Sequence, residues 1–280
     1  MTTSTTSAPT TTRKLAALQR LVNHALERIL PRAHQAPAVI HEAMRYCVFS
    51  GGKRFRPLLS LGACEAVGAS ARRALPVACA VELIHSYSLV HDDLPAMDNA
   101  DERRGIPSCH RKYGEGNAIL VGDALLTLAF ELLSRNGTPN ALPIIRTIGL
   151  ASGTTGLIGG QVLDLQAISQ PRTATERTLL GIAEQKTAAL ITASVVGGAL
   201  AGGASAAQRQ SLKRYGQAVG LAFQLIDDLH DREGLAQVMG AGAVKSRADR
   251  LIARAVKVLV PFGKRADTLR HLASWLAATP

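Results

Sequence analysis

Apolar residues recur every three or four positions along most of the 280-residue chain, a spacing that places them on one face of an α-helix. No segment shows the strict alternation of apolar and polar residues that is typical of a half-buried β-strand. The pattern therefore predicts an all-α protein. Its clearest helical segments are 15–30, 58–68, 75–91, 118–134, 211–229, 243–260 and 265–277.

The breaks between these segments fall at glycine and proline clusters, where turns are expected. No long linker and no repeat of fixed period divides the chain. We therefore predict one domain over residues 15–280, built as a helical bundle. The Ser/Thr-rich segment 1–14 has no apolar core of its own and is predicted to be a disordered tail.

Hydrophobic residues make up 47% of the chain and aromatic residues only 4%, so small and medium aliphatic side chains must form the core. The 32 lysines and arginines outnumber the 21 acidic residues, and the formal net charge of +11 favours a polyanionic partner. Zinc-finger spacing, a basic region leading into heptads, and interleaved aromatic and basic residues are all missing. We therefore predict a small phosphorylated ligand and no nucleic-acid partner.

Three features bear on where the protein works. The four cysteines are widely spaced without a C-x-x-C pair, which predicts free thiols and a cytoplasmic location. The tail lacks the apolar core of a secretory signal, and the absence of acidic residues before Glu27 leaves a transit peptide as the alternative. Residues 187–208 carry no charge, but they are mostly small, so we predict a closely packed helix and no membrane span.

One carboxylate cluster, Asp227, Asp228 and Asp231, follows a strongly apolar helical segment. Asp227 and Asp231 are four residues apart, which places their side chains within roughly 40° of each other on one helix face. Carboxylates arranged in this way repel each other unless a cation lies between them. The cluster therefore predicts a metal site at the end of this helix.

The other carboxylate cluster lies in the segment VHDDLPAMDNADERRG. Asp92 and Asp93 close a predicted helix, Pro95 interrupts it, and Asp98 follows. Because the proline breaks the helical register, a bulge in the chain would allow Asp92 and Asp98 to converge. Hard oxygen ligands favour magnesium over zinc or copper. For either cluster alone a solvated helix end is the alternative, but both adjoin apolar segments, where desolvated carboxylates need partners.

Basic residues form two candidate anion sites. The glycine-rich turn at 50–57 exposes backbone N–H groups beside Lys53 and Arg56, a combination that suits a diphosphate. Arg103 and Arg104 follow the first carboxylates and add two more cations. Further polar residues lie on otherwise apolar helices, where a structural role is the alternative. They are Gln161, Asp164, Lys186, Thr187 and Gln224.

Together these residues resemble the trans-isoprenyl diphosphate synthases, also called the polyprenyl synthetase family, and within it the bacterial-type farnesyl and geranylgeranyl diphosphate synthases. The resemblance runs from Leu15 to about Asp231, and seven motifs occur in the family's order. They are GGKRFRP at 51–57, HSYSLVHDDLPAMD at 85–98, RRG at 103–105, GDALL at 122–126, GGQVLDL at 159–165, KTA at 186–188 and FQLIDD at 223–228.

The resemblance implies a bundle around a central cavity, with the two aspartate motifs facing each other across its mouth, and a homodimer. It implies condensation of isopentenyl diphosphate with an allylic diphosphate, with Mg²⁺ as cofactor. The implied metal ligands are Asp92, Asp98 and Asp227, with Asp93, Asp228 and Asp231 in support. The implied contacts of the allylic diphosphate are Arg103, Lys186, Thr187 and Gln224. Those of isopentenyl diphosphate are Gly52, Lys53, Arg56, His85 and Arg104.

The same resemblance implies that product length depends on the side chains that form the floor of the cavity below Asp92. Tyr87 lies five residues earlier, about 7.5 Å along the helix axis, with Ser88 beside it. An aromatic residue at this place, together with Leu94-Pro95 in the motif, is similar to farnesyl producers. The implied product is farnesyl diphosphate, with geranylgeranyl diphosphate as the alternative.

One segment departs from the family's pattern. The family continues after the second aspartate cluster with a loop that carries glycine and a lysine for the allylic diphosphate. Here Asp231 is followed by Arg232-Glu-Gly-Leu, and no lysine occurs before Lys245. We interpret this as an internal deletion that would lower or abolish turnover, because a missing cation costs transition-state stabilisation. The alternatives are a non-catalytic homologue or heteromer subunit, and a class I terpene synthase.

Overall fold

The computed structural model describes residues 8–135, 137–170, 172 and 174–278. It confirms the predicted all-α fold with a single domain. Its α-helices are α1 (Ala8–Ile29), α2 (Ala38–Phe49), α3 (Phe55–Ala66), α4 (Leu75–Asp92), α5 (Cys109–Tyr113), α6 (Glu115–Ser134), α7 (Ala141–Ser152), α8 (Leu157–Ser169), α9 (Glu176–Ile182), α10 (Ala189–Ala201), α11 (Ala206–Asp231), α12 (Leu235–Met239), α13 (Ala241–Val258) and α14 (Asp267–Ala278).

Shorter elements complete the bundle. Two 3₁₀ segments precede α4 and α14 at Ala71–Ala74 and Val260–Ala266, and a π-helical turn, Ala183–Ala188, leads into α10. A two-stranded hairpin follows α4, with β1 at Glu102–Arg103 and β2 at Ile106–Pro107.

The hairpin corrects the prediction that the chain has no strands. Strands of two residues are too short to show an alternating pattern, so the sequence contains no periodic signal for them. The two residues between the strands, Arg104 and Gly105, both have positive φ, at 58° and 78°. This is the backbone conformation that the tight turn of a two-residue hairpin requires.

The N-terminal helix is longer than the periodicity indicated. Helix α1 begins at Ala8 and therefore includes part of the segment 1–14 that was predicted to be a disordered tail. The rest of that prediction, residues 1–7, lies outside the described residues.

Helices α4 and α10 occupy the centre of the bundle, and α4 packs against α1, α3, α6 and α10. From Val77 to Ile84 every residue of α4 is at most 3% exposed, as expected for a helix that is apolar on all sides. The small residues of α10 allow close approach to α3: a Cβ atom on Gly198 would lie 2.0 Å from the carbonyl oxygen of Ser60. The close packing predicted for this uncharged stretch is therefore present.

Four helical stretches in the described part of the chain are long and apolar enough to cross a membrane, by length and composition only. In the most apolar 18-residue part of each stretch, between 28% and 67% is buried inside the bundle. The absence of a membrane span stays a prediction. The stretches are Ala71–Asp92, Glu115–Ser134, Ala141–Ser169 and Glu176–Ala201.

Candidate active site

The first aspartate cluster forms at the C-terminal end of α4. The chain turns back after the helix, so that the backbone N–H of Asp98 donates to the carbonyl oxygen of Asp92 at 2.8 Å. A second bond, from the N–H of Asn99 to the carbonyl oxygen of Leu94 at 3.1 Å, closes the loop. The predicted bulge is therefore present, and it brings Asp98 next to Asp92.

The environment of Asp92 favours a bound cation. Burial raises the pKa of Asp92 to about 6, and repulsion from Asp98 and Asp93 adds to the effect, while Lys186 and Arg103 oppose it. A cation between Asp92 and Asp98 would remove the cost of holding two carboxylates close together. The arrangement suits a divalent ion with oxygen ligands.

Asp93 has a different role from its neighbour. It is only 3% exposed, and Arg103 of β1 binds it with two nitrogens, its Nε lying 3.1 Å from Oδ1 and its Nη2 forming the closest contact. The pair fastens the β1–β2 hairpin to the end of α4. Arg103, which was predicted to contact a diphosphate, is therefore engaged by Asp93 in this structure, although 36% of its side chain stays exposed.

The second aspartate cluster lies at the end of α11, where Asp227 and Asp231 are exposed on one helix face. Partial burial raises the pKa of Asp227, and repulsion from Asp231 and Asp228 raises it further, whereas Arg56 lowers it. Asp227 lines the same cavity as Arg56 and the glycine-rich turn before α3, so this helix end faces that turn.

Asp228 is tied into the connection between α11 and α12. Its Oδ1 accepts a hydrogen bond from Gln224 Nε2 at 2.7 Å, and its Oδ2 accepts one from the backbone N–H of Leu235 at 2.9 Å. Arg232, with φ of 57°, makes the turn between them. Asp228 was predicted to support metal binding. In this structure both of its carboxylate oxygens instead stabilise the end of α11.

A chain of polar contacts joins the second cluster to the π-helical turn. The hydroxyl of Thr187 donates to Gln224 Oε1, and Gln224 in turn donates to Asp228. Lys186 Nζ donates to Asp164 Oδ2 of α8 at 2.6 Å. These four predicted polar residues are thus brought together, each of them with a partner inside the protein.

The glycines of the motif GGQVLDL on α8 are also required by packing. A Cβ atom on Gly160 would lie 2.2 Å from the backbone nitrogen of Lys186, so only glycine allows α8 this close to the π-helical turn. The next residue, Gln161, has a buried Nε2 without a hydrogen-bond partner among the described residues. Such a group is available to a ligand.

A cavity of about 590 Å³ opens between α3, α4, α11 and α14. Its walls include the apolar side chains of Phe223 and Ile226, and Asp227 lies at its edge. All the residues predicted to bind isopentenyl diphosphate line it. They are Gly52, Lys53, Arg56, His85 and Arg104.

Arg56 contributes a buried cation to this cavity. The residue is buried, and its Nε has no hydrogen-bond partner among the described residues. Burial lowers the pKa of Arg56 to about 10, with Glu82 and Asp227 acting in the opposite direction, so the side chain is cationic at neutral pH. A buried cation with an open N–H group is incomplete without an anion.

His85 remains neutral beside these cations. Burial lowers the pKa of His85 well below its usual value, and Arg56 and Arg104 lower it further. A neutral imidazole can donate one hydrogen bond without adding charge. Arg104 Nη1 meanwhile donates to the carbonyl oxygen of Gly51 at 2.7 Å, which holds the hairpin against the glycine-rich turn.

The structure also shows that Arg54 holds the glycine-rich turn in place, a role that the motifs did not predict. Arg54 has φ of 52° and forms a buried ion pair with Glu82, at 2.6 Å between Nη1 and Oε1. Its other nitrogens donate to Asn23 Oδ1 at 2.9 Å and to the carbonyl oxygen of Val48 at 2.7 Å. These contacts hold the glycine-rich turn so that its neighbouring cations face the cavity.

Trp275 is a second missed residue. Lys53 Nζ lies 4.6 Å from the centre of the Trp275 ring, which belongs to α14, within reach of a cation–π interaction. The only sequence signal was that this is the single tryptophan of the chain, on a helix outside the recognised motifs.

Tyr87 and Ser88, the predicted chain-length residues, are both buried on α4. Burial raises the pKa of Tyr87 to about 12, with Asp92 adding to the effect, and its hydroxyl has no partner in the described structure. Ser88 Oγ instead donates to the carbonyl oxygen of His85 at 3.0 Å. Of the two, Tyr87 has the free polar group and the larger side chain.

Within the described residues, no three His, Cys, Asp or Glu side chains converge to hold a metal ion by themselves. Mg²⁺ usually takes one or two carboxylates from the protein and completes its shell with water and substrate phosphates. Asp92 with Asp98 on one side, and Asp227 with Asp231 on the other, are carboxylate pairs of this kind.

Fold and site together define an all-α protein in which cations and carboxylate pairs lie at the ends of buried helices. The family model for polyprenyl synthetase matches residues 37–249. The chain is 44% identical over 229 residues to a chloroplastic geranylgeranyl pyrophosphate synthase of Capsicum annuum, an alignment that covers 80% of this chain and 61% of that protein.

Two further comparisons agree. A heterodimeric geranylgeranyl pyrophosphate synthase large subunit 1 of Arabidopsis thaliana is 44% identical over 240 residues, covering 82% of this chain and 64% of that protein. The chain thus spans less than two thirds of either relative. The apo crystal structure of an FPP/GFPP synthase from Zymomonas mobilis superposes with a TM-score of 0.91 at 36% identity, over 97% of this chain and 100% of that one. The chain belongs to the polyprenyl synthetase family.

Proposed function

We propose that the chain is a prenyltransferase that condenses isopentenyl diphosphate with an allylic diphosphate, dimethylallyl or geranyl, to give a short-chain trans-prenyl diphosphate. The observation that carries the proposal is the cavity, where a buried arginine nitrogen without a partner in the described structure lies in the same lining as Asp227, at the carboxylate-bearing end of α11. A class I terpene synthase has no use for a second diphosphate site, so this observation disfavours that alternative.

In this proposal the cavity holds isopentenyl diphosphate through Arg56, Lys53 and Arg104, while His85 donates a hydrogen bond. The allylic diphosphate lies between the two helix ends, where Lys186 and Arg103 exchange their carboxylate partners for phosphate oxygens. Both cations then stabilise the charge that develops on the leaving oxygen.

Mg²⁺ bound by Asp92, Asp98 and Asp227 would supply further positive charge to the leaving diphosphate. The allylic C–O bond ionises, and the double bond of isopentenyl diphosphate attacks the carbocation. Apolar side chains such as Phe223 and Ile226 keep water away from it. The departing diphosphate is suited to accept the final proton, so no protein nucleophile is required.

For the product we propose farnesyl diphosphate, because the bulky Tyr87 is buried below Asp92. Geranylgeranyl diphosphate is the second candidate, favoured by the names of the curated relatives. The experiment is Tyr87→Ala, which we expect to shift the product distribution by one or more isoprene units toward longer chains. Ser86→Ala, at another buried position of the same helix, is the matched control. Unchanged chain lengths in Tyr87→Ala would exclude Tyr87 from this role.

The short connection after α11 supports a second functional candidate, a homologue with little activity of its own that works beside another subunit. Only residues 232–234 separate α11 from α12. The first lysine beyond Asp231, Lys245, is ion-paired with Asp249 at 2.5 Å. The proposed internal deletion therefore leaves the allylic diphosphate without its usual lysine. One relative at 44% identity carries the word "heterodimeric" in its name.

We also propose that two copies of the chain form a homodimer through an apolar surface on α6, α7 and α8. Large apolar side chains on this surface are between 40% and 79% exposed, which is unusual for a surface in contact with water. The apolar residues are Ile119, Leu120, Leu142, Leu150, Ile158 and Val162. Sedimentation in detergent-free buffer, with Leu142→Glu as the disrupting variant, tests this.

For the location of the protein we propose the cytoplasm, which the free cysteines support.

The decisive assay combines the pure protein with Mg²⁺, isopentenyl diphosphate and dimethylallyl, geranyl or farnesyl diphosphate, followed by analysis of product chain length. We expect elongation that stops when EDTA removes the metal. A lack of elongation with every primer would overturn the enzyme proposal in favour of the non-catalytic candidate. A cyclised hydrocarbon would favour a terpene synthase.

A further inference from the structure

The C-terminal part of the chain carries a basic surface that the candidate active site does not use. Between Arg250 and Ala266 the sequence has five cationic residues and no aspartate or glutamate. All five are exposed. They are Arg250, Arg254, Lys257, Lys264 and Arg265.

The cations on α13 point away from the bundle. At about 100° per residue, Arg250, Arg254 and Lys257 lie within an arc of roughly 60°. The buried residues of the same helix occupy the opposite side, where α13 packs against α11. These buried residues are Val244, Ala248, Ile252 and Ala255.

Nearby carboxylates do not neutralise this surface. Asp267 is paired with Arg270 at 2.7 Å, and Asp249 with Lys245 at 2.5 Å. Glu65, at the end of α3, binds Lys14 at 2.8 Å. In the described part of the chain none of the five cations forms an ion pair.

An exposed apolar tip lies in the middle of the cations. Val260, directly after α13, is 68% exposed, and Pro261 beside it is exposed as well. Phe262, the next residue, is 4% exposed and anchors the turn in the core. The turn anchored by Phe262 thus presents two apolar side chains to solvent, and in sequence they lie between Lys257 and Lys264.

The basic surface lies at the opposite end of α3 from the cavity. Arg265 Nη1 lies 3.0 Å from the position that a Cβ on Gly68 would occupy, just beyond the C-terminal end of α3. Arg56, at the N-terminal end of α3, lines the cavity. A helix of 12 residues separates the two regions by about 18 Å. A partner bound at the basic surface leaves the cavity open to water.

We propose that this basic surface docks the protein on an anionic lipid membrane, with Val260 and Pro261 inserted among the lipid headgroups. Exposed cations are attracted to the negative surface potential of such a membrane, and an apolar tip adds affinity that is independent of charge. Nucleic acid is the other polyanion that a basic surface fits. Single strands are bound with stacking aromatic side chains, and the only aromatic residue of this segment, Phe262, is buried. A duplex, which needs no aromatic residue, is separated by the experiment.

The test is co-flotation of the full chain with vesicles of phosphatidylcholine alone and of equal parts phosphatidylcholine and phosphatidylserine, at low and high salt. We expect binding to the anionic vesicles only, weakened by salt. The triple variant R250Q/R254Q/K257Q should weaken binding about a hundredfold, given the contribution of each cation near a charged surface. Val260→Ser, which removes the apolar side chain without adding charge, should weaken it several-fold with the cations intact.

The matched control is R20Q/R28Q/R32Q, which removes the same charge from exposed positions on α1 and just after it. It should retain most of the binding, and circular dichroism should show that all variants are folded. Equal losses in the control and in R250Q/R254Q/K257Q would overturn the proposal, because binding would then follow net charge alone. Absence of binding to anionic vesicles at low salt would overturn it as well. So would retention of a DNA duplex that is stronger than vesicle binding and sensitive to the same triple substitution.

Discussion

The helix ends that carry the two aspartate clusters contain the same residue type at similar spacing, and they are built differently. At the end of α4, the carboxylate of Asp93 is paired with Arg103, whereas those of Asp92 and Asp98 have no side-chain ion pair in the described part of the chain. At the end of α11, Asp228 accepts hydrogen bonds from Gln224 and from the backbone of Leu235, whereas Asp227 and Asp231 remain exposed.

The comparison shows how a fold assigns roles within a cluster of identical side chains. In each cluster a half-buried or buried aspartate fastens the next element, which is the hairpin in one case and α12 in the other. The remaining two carboxylates are left for a cation. Because burial and repulsion raise the pKa of Asp92 to about 6, this group has the most to gain from a metal ion.

Asp92→Ala removes one of the carboxylates that are left for a cation, and we expect it to have the largest effect, a loss of activity. Loss of a metal-binding carboxylate removes several kcal/mol of transition-state stabilisation, so kcat should fall about a thousandfold or more with the melting temperature nearly unchanged. The measurement is elongation of geranyl diphosphate at saturating Mg²⁺. A variant with more than a tenth of normal activity would contradict the assignment of Asp92 to the metal.

The next effect is on stability, with Arg103→Ala. This substitution leaves the buried Asp93 carboxylate without its partner, and we expect a loss of about 2 kcal/mol, at the lower end for a buried pair because Arg103 is partly exposed. Urea unfolding measures it. Arg111→Ala, which breaks the exposed pair with Asp101, is the control and should cost less than about 1 kcal/mol.

A comparable but smaller change is expected for Asp228→Ala. The Leu235 N–H and the Gln224 amide lose their acceptor, which should cost about 1 to 2 kcal/mol of unfolding free energy. Activity should fall less than in Asp92→Ala, since Asp228 acts through the position of α11 and α12. If Asp228→Ala abolished turnover while stability stayed normal, Asp228 would be a metal ligand and the contrast between the two helix ends would disappear.

We expect the smallest change in stability for Lys245→Ala. This variant tests whether Lys245 acts on the allylic diphosphate near the end of α11. An exposed pair four residues apart on a helix contributes about 0.3 to 0.5 kcal/mol, and kcat should not change. If kcat fell strongly, Lys245 would replace the lysine of the proposed missing loop. Steady-state kinetics with varied allylic diphosphate separates the two results.

Much of this could be predicted from the sequence. Helical periodicity is a local property, so the all-α fold and most helices followed from apolar spacing. The convergence of Asp92 with Asp98 followed from Pro95, which excludes a continuous helix at this point. The five residues around the cavity were found through their motifs, although spacing alone could not have brought Arg104 and His85 to the same place.

Other features depend on contacts between distant segments. Arg54 meets Glu82 across 28 residues, and Lys53 meets Trp275 across more than 200, so neither contact leaves a periodic or motif signal. The hairpin was missed because its strands are two residues long.

The sequence by itself determined the class of fold, the oxygen-rich chemistry of the site and the cations around it, because residue type and local spacing carry that information. The tertiary structure decided which carboxylate of each cluster is free, because this depends on which donors the fold brings within hydrogen-bonding distance. It also decided that the three cations of α13, Arg250, Arg254 and Lys257, face solvent together, since helix orientation is set by the packing of the opposite, apolar face.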